Sequence, residues 1–184
     1  MSKRDDIVRT AEALFYTEGF HRTGVARIAR QACTTQRTLY QHFATKEQLI
    51  LAIMQQREAR YWAHLEMLDN THAKPWHSML PFIALKDWLV QHNSGGCFYQ
   101  HALAEYQGKD DEIVAHVKAY KARQKDDLAR RLVQDGIDQD DLLVLLGIIY
   151  EGLTALSAVS LTDKDWSRTF TQLTGILENA RENH

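Results

Sequence analysis

Apolar side chains return along this chain three or four positions apart, the spacing of one face of a helix, and nowhere in the strict alternation that marks a strand. Ile7, Ala11, Leu14 and Phe15 fall at i, i+4, i+7 and i+8 and predict a first helix that Gly19, just after Glu18, is placed to end. Val25, Ile28, Ala29 and Ala32 predict a short second helix with Gly24 as an adequate N-cap. After a turn of three or four residues, Thr35 opens a third helix whose inward pair is Leu39 and Phe43. A fourth runs from Thr45 toward Leu68 with Leu49, Ala52, Ile53, Ala59, Trp62 and Leu65 inward, a rod joining the small head to the rest. Breaks at 70–75, 92–96, 107–111 and 134–140 leave room for five further helices. The expected fold is all-α, with about nine helices: a helix-turn-helix head over residues 1–49 and a helical bundle over 50–184.

Composition agrees with that pattern. Two prolines and nine glycines in 184 residues, with 45% hydrophobic, favour long helices over sheets and are enough for a well-cored domain. The stretch from Leu142 to Leu161 is long enough to span a bilayer and carries one charge. That charge, Glu151, would sit near the membrane centre at a cost of roughly 2.5 to 3.5 kcal/mol, and the flanks are acidic. A helix covered on all sides by protein is therefore expected, not a membrane partner. The N-terminal residues contain no apolar run of the signal-peptide kind, so a cytoplasmic location is expected. Cys33 and Cys97 lie far apart without metal-ligand spacing and are expected as free thiols.

Charge changes the picture more. The chain has a net charge of −2, yet residues 1–50 hold eight Lys and Arg against five Asp and Glu. Between Gly19 and Lys46 stand Arg22, Arg27, Arg30, Arg37 and Lys46 with no acid, the footprint of a polyanion partner. At 100° per residue, the side of the third helix opposite Leu39 and Phe43 is centred on Arg37 and Gln41. Thr38 and Tyr40 flank them, with Gln36 at the first turn. Arginine can fork onto guanine O6 and N7, glutamine onto adenine N6 and N7, and hydroxyls can hold phosphate oxygens. Two short helices joined by a tight turn, the second polar and basic outward, form the helix-turn-helix layout, so double-stranded DNA is the expected partner.

The run from Ile7 to Ile50, with its L-F-x-x-E-G-F, T-x-V-x-x-I-A, A-x-T-T-x-x-T-L-Y-Q-H-F and T-K-E-Q-L-I blocks, resembles the TetR family of bacterial transcriptional regulators. The resemblance implies a homodimer with paired DNA-binding heads and a larger C-terminal domain that binds a small-molecule effector, most often to relieve repression. It implies that Thr35, Gln36, Arg37 and Thr38 meet bases and nearby backbone. It makes Tyr40 and His42 phosphate contacts, and Thr23 and Lys46 backbone clamps. Thr45 and Gln48 form a capping box at Lys46, which also turns helix amides toward a phosphate. Two residues depart from the family pattern. Gly24 stands where Ser or Thr is usual, and Cys33 stands where the turn usually has Gly, a strain of roughly 1 to 2 kcal/mol if the position is left-handed.

In the body, the last two helices are the expected dimer surface. Asp138 is expected to cap the eighth, and Leu145, Ile149, Gly152, Leu156, Trp166, Phe170, Leu173 and Leu177 would meet the second copy in a four-helix bundle. The alternative is that the apolar eighth helix is the monomer's own core. Trp62, Phe82, Trp88, Cys97, Phe98, His101, Tyr106, Tyr120 and Tyr150 suit an apolar effector pocket, and suit a core equally. The segment GGCFYQHALAEY, residues 95–106, resembles the opening of the sixth helix in one large TetR subgroup, which sets it near the pocket. His101 and Glu105 share a helix face but find no third metal ligand, and His72 and His77 straddle a loop. No catalytic or phosphate-loop motif occurs, so neither cofactor nor enzymatic activity is expected. Thiol sensing through Cys33 or Cys97 is the rival within the regulator class, and an all-helical enzyme is the rival outside it.

Overall fold

The computed structural model describes residues 2–71, 76–92, 96–137 and 140–182. Among them are nine α-helices and no strand: α1 (Lys3–Glu18), α2 (Val25–Gln31), α3 (Gln36–His42), α4 (Lys46–Thr71), α5 (Leu80–His92), α6 (Phe98–Tyr106), α7 (Asp111–Gln134), α8 (Asp140–Ser157) and α9 (Asp163–Glu182). A 3-10 turn, His77–Met79, leads into α5. The all-α expectation holds. α4 runs beyond Leu68 to Thr71, and Asp138, expected to cap the eighth helix, lies outside the described residues, as does His72.

Helix ends in the head follow from local chemistry. Ser2 caps α1 in a capping box with Asp5, and Gly19 ends it at φ 84°, its N–H donating to the Phe15 carbonyl. Thr35 caps α3, its hydroxyl accepting from Thr38 N–H at 3.1 Å. Thr45 accepts from Gln48 N–H, but the Gln48 amide oxygen accepts from Ala44 N–H, one residue earlier than a regular capping box requires. Between α2 and α3 the chain turns in a Schellman motif. Thr34 N–H donates to the Ala29 carbonyl at 2.9 Å and Cys33 N–H to the Arg30 carbonyl at 3.2 Å. Cys33 is the left-handed residue of that motif, at φ 49°, and the only non-glycine with positive φ among the described residues. α7 ends in the same motif with Gly136 in the equivalent place, at φ 76°.

The chain divides into two compact units. One comprises residues 1–59 and 97–119, the other 60–96 and 120–184; α4 and α7 contribute residues to both. The expected boundary at 49 and 50 divides the chain by role, whereas packing groups α6 and the start of α7 with the N-terminal helices.

In the first unit Ile7, Val8, Ala11, Leu14 and Phe15 of α1 are buried with Ile28, Ala29, Leu39, Leu49, Ile50 and Ile53. α6 supplies the other wall. Phe98 meets Phe20 edge-on at 4.9 Å between ring centroids, and Phe20 stacks on Phe15 at 4.9 Å. Arg57 is buried, donates to Glu12 and to the Tyr16 hydroxyl at 2.7 Å, and stacks on Tyr16 and Phe98. Burial pushes the Tyr16 hydroxyl up to about 12.

The core of the second unit is built on Trp76, Phe82, Leu128, Leu132, Leu142, Leu146, Leu153, Trp166, Leu173 and Leu177. Arg131, buried, donates to Asp127 and Asp69, and Asp135 accepts from the N–H groups of His77 and Ser78. Trp166, Leu173 and Leu177, expected at a dimer surface, are therefore core residues of one chain. Helical spacing marked them as buried without saying by what. Of the other expected dimer residues, Leu145 and Leu156 are exposed and Ile149, Gly152 and Phe170 half-buried.

The left-handed Cys33 gives a direct prediction. Replacing Cys33 with Gly removes the steric cost of a side chain at positive φ, less glycine's added entropy, and should raise the unfolding free energy by up to about 1 kcal/mol in urea denaturation. A lower midpoint would contradict strain at this position.

Candidate nucleic-acid interface

α3 has seven residues, of which only Leu39 is buried. Gln36, Arg37, Tyr40, Gln41 and His42 are exposed, Tyr40 by 48%, and Thr38 is half-buried. Its first turn thus offers Thr35, Gln36 and Arg37 to solvent, a mixed donor and acceptor surface with no carboxylate. Arg22, Arg30 and Arg37 are exposed and make no ion pair among the described residues. Arg27 differs: its guanidinium is held by Glu18 of α1 at 2.6 Å.

Two expected backbone clamps sit deeper than foreseen. Thr23 is fully buried and its hydroxyl donates to the Gly19 carbonyl at 2.7 Å, so it braces the α1–α2 turn and presents no hydroxyl to a ligand. Lys46 is half-buried, with Nζ 5.9 Å from the Phe15 ring centroid, and burial holds its pKa below the ordinary lysine value.

An acid absent from the local sequence reaches the head from α6. Glu105 accepts from Phe20 N–H at 2.9 Å and His21 N–H at 2.7 Å, and its second oxygen lies 2.6 Å from His21 Nδ1. Burial opposes its ionisation, but the backbone donors of His21 and Phe20 outweigh burial and hold the carboxyl below its ordinary value. The chain needs glycine next to this carboxylate. Gly19 has φ 84°, and a Cβ there would come 3.3 Å from Glu105 Oε1. Tyr106 completes the clamp by packing on Phe20 and His21.

The nine residues expected to form an effector pocket are distributed over both units. Cys97, Phe98, His101 and Tyr106 belong to the first unit, where Phe98 and Tyr106 pack on the head. The second unit contains a cavity of about 450 Å³, lined by Trp62 and Tyr150 of the expected set together with Tyr61, Lys121, Gln124, Lys125, Leu128 and Leu143. Tyr120 is buried and accepts from Gln124 Nε2 at 3.1 Å; Phe82 packs edge-on against Tyr150; Trp88 lies near Tyr61. Tyr61, which sequence reasoning missed, shares a hydrogen bond with Tyr150 at 2.9 Å, and burial pushes its hydroxyl up to about 12. Lys121, Gln124, Lys125 and Leu128 recur at helical spacing, a signal that was available but reads as a solvated face. No cluster of three metal-ligating side chains and no helix long and apolar enough to cross a membrane occurs among the described residues.

Residues 7–53 match the family model of the bacterial regulatory proteins of the tetR family. The head is that of a TetR-family regulator. Solved structures extend the likeness of fold over the chain. A TetR-family transcriptional regulator from Streptomyces coelicolor is 25% identical, with a TM-score of 0.81 over 97% of this chain and 96% of that one. A TetR transcriptional regulator from Legionella pneumophila is 19% identical, with a TM-score of 0.77 over 100% and 97%. E. coli NemR in its reduced form is 15% identical, with a TM-score of 0.77 over 94% and 95%. Curated proteins compared by sequence give no match.

In this TetR-family head, Glu105 is a brace that no local pattern announces. Glu105→Gln keeps the shape but weakens the acceptor for two backbone donors, and should cost about 1 kcal/mol at pH 7. Because the folded carboxyl titrates below its unfolded value of about 4.3, its stabilisation is complete above that value and is lost as pH falls through the folded pKa. Urea denaturation of both proteins should therefore show a gap at pH 7 that narrows as the pH is taken below the unfolded value of about 4.3.

Proposed function

We propose that this chain is a dimeric transcriptional repressor whose α3 enters the major groove of a palindromic operator and whose release is driven by a small molecule bound in the second unit. One observation carries the DNA-binding part: the outward face of α3 exposes Gln36, Arg37, Tyr40, Gln41 and His42, without an acid, while Leu39 alone is buried. Arg37 and Gln36 read base edges at the start of the helix, with Thr35, Thr38 and Gln41 beside them, and Tyr40, His42 and Lys46 hold phosphates. Thr23 serves by shaping the turn.

Support for a dimer comes from α8. Its Val144, Leu145, Ile148 and Leu156 are exposed large apolar side chains, Val144 and Ile148 at the rim of the cavity as well, with the exposed Val159 just beyond the helix end; Ile149 and Gly152 share their stripe. A second copy covering this stripe would bring a second recognition helix, and reading successive major grooves requires the two to lie about 34 to 36 Å apart, one turn of DNA. A guest in the body that favours another head spacing by roughly 1 to 3 kcal/mol would weaken operator binding about 5- to 150-fold. Thiol control is the second reading. It attaches to Cys33, exposed and left-handed in the turn that sets α3, where a bulky adduct would shift the helix. A Cys33→Ser protein that still releases DNA normally on oxidant removes that reading.

Gel shift against the DNA upstream of the gene tests the main reading. Arg37→Ala should flatten sequence preference by about 1 to 3 kcal/mol at one base position, and Lys46→Ala should weaken all sequences alike and lower the salt slope by about 1. Unchanged preference in Arg37→Ala would remove it from base contact. Introducing a charge with Leu145→Glu and Leu156→Glu should convert dimer to monomer in sedimentation and abolish tight operator binding; a dimer that persists would move the interface elsewhere.

A further inference from the structure

The cavity of the second unit carries a statement about its guest, one that rests on reading it as the effector site. Its apolar wall is aromatic and aliphatic, with Tyr61, Trp62, Tyr150, Pro81, Leu128 and Leu143, which fits a flat ring system. The polar groups of the wall are unequally used. Its carboxylates are already paired: Glu151 accepts from Lys121 Nζ at 2.6 Å, and Asp127 from Arg130 and from Arg131 Nε at 2.7 Å. The hydroxyls of Tyr61 and Tyr150 bond each other, and Tyr150 also accepts from Gln124 Nε2 at 3.3 Å.

Donors remain unspent. Lys125, exposed at the lining, makes no ion pair among the described residues. The Lys121 ammonium has three protons and gives one to Glu151. The Trp62 indole N–H is buried and has no acceptor among the described residues. Among the described residues, the buried acceptor of the wall that has no partner is the Gln124 amide oxygen. Both atoms are buried, so a guest meets them only by shifting those side chains.

Charge points the same way. Glu151 is balanced by Lys121, and the Asp69 and Asp127 pair by Arg130 and Arg131. Lys125 is left over, and the Arg123 guanidinium, 4.4 Å over the Trp62 ring, adds the same sign. We infer that the guest is an aromatic monocarboxylate: a flat ring system on the Trp62 and Tyr150 wall, with its carboxylate toward Lys125 and Lys121. A carboxylate supplies an acceptor for Lys125 and for the remaining Lys121 protons, and one hydroxyl or N–H elsewhere on the guest would suit Gln124.

Three probes of nearly one shape test this on the full chain by calorimetry: 2-naphthoate, neutral 2-naphthamide and cationic 2-naphthylmethylammonium. Naphthoate should bind about tenfold or more tightly than the amide, and the cation weakest. Lys125→Gln, at an exposed position, should bring naphthoate close to the amide, and Lys125→Arg should keep the preference. Trp62→Phe should weaken naphthoate and amide alike. Equal or tighter binding of the amide, or binding of no probe, overturns the inference. Operator affinity measured alongside separates the two claims. Naphthoate that binds in this pattern without changing operator affinity defeats the effector reading alone, whereas operator binding with no naphthoate preference defeats this inference alone.

Discussion

Everything in the head depends on how little of α3 can be buried. With seven residues it is far shorter than a helix that is stable alone, and one leucine, Leu39, reaches the core. Its position must therefore come from its ends and from the surface it sits on. The Thr35 cap fixes the start, the Schellman turn at Cys33 fixes the approach, and Phe43, also buried, fixes the exit. What that minimal anchorage provides is a helix nearly all of whose remaining side chains face outward, which is what a surface that reads DNA requires.

The supporting surface is not made by the N-terminal helices alone. Phe98, Glu105 and Tyr106 of α6 close over Phe20 and the α1–α2 turn, and Arg57 ties α4 to Glu12 and Tyr16 of α1. The turn at Phe20 and His21 is thus held by a carboxylate more than eighty positions away in sequence. The same long-range closure qualifies the acid-free run between Gly19 and Lys46. In space Glu105 adjoins His21 and Glu18 neutralises Arg27, leaving Arg22, Arg30 and Arg37, with the half-buried Lys46, as the cations of that run without an ion pair among the described residues.

Where the deciding physics is local, the sequence was enough. The α1 stripe, the Gly19 stop, the Thr35 cap and the inward pair Leu39 and Phe43 are settled within one or two helical turns. Burial against a distant partner was not legible. Trp166, Leu173 and Leu177 looked like an interface and are core, because periodicity reports that a face is covered without reporting what covers it. Aromatic residues suit a pocket or a core equally, and Cys97, Phe98, His101 and Tyr106, expected at the pocket, fall in the unit of the N-terminal helices. The cavity face of α7 escaped for the opposite reason: Lys121, Gln124 and Lys125 are polar, and a polar stripe on a helix reads as solvated. Thr23 shows the limit of carrying a role across by resemblance, since its hydroxyl is spent on the Gly19 carbonyl.

The central claim is that paired α3 helices read the major groove. Dimethyl sulfate footprinting of the full-length protein on the DNA upstream of its gene tests that most directly, because the reagent methylates guanine N7, the atom an arginine fork would cover. The account predicts protected guanines in two patches on one face of the duplex, about one helical turn apart, at a salt concentration where binding is specific. Binding with no guanine N7 protected, or with protection in a single patch, would contradict it.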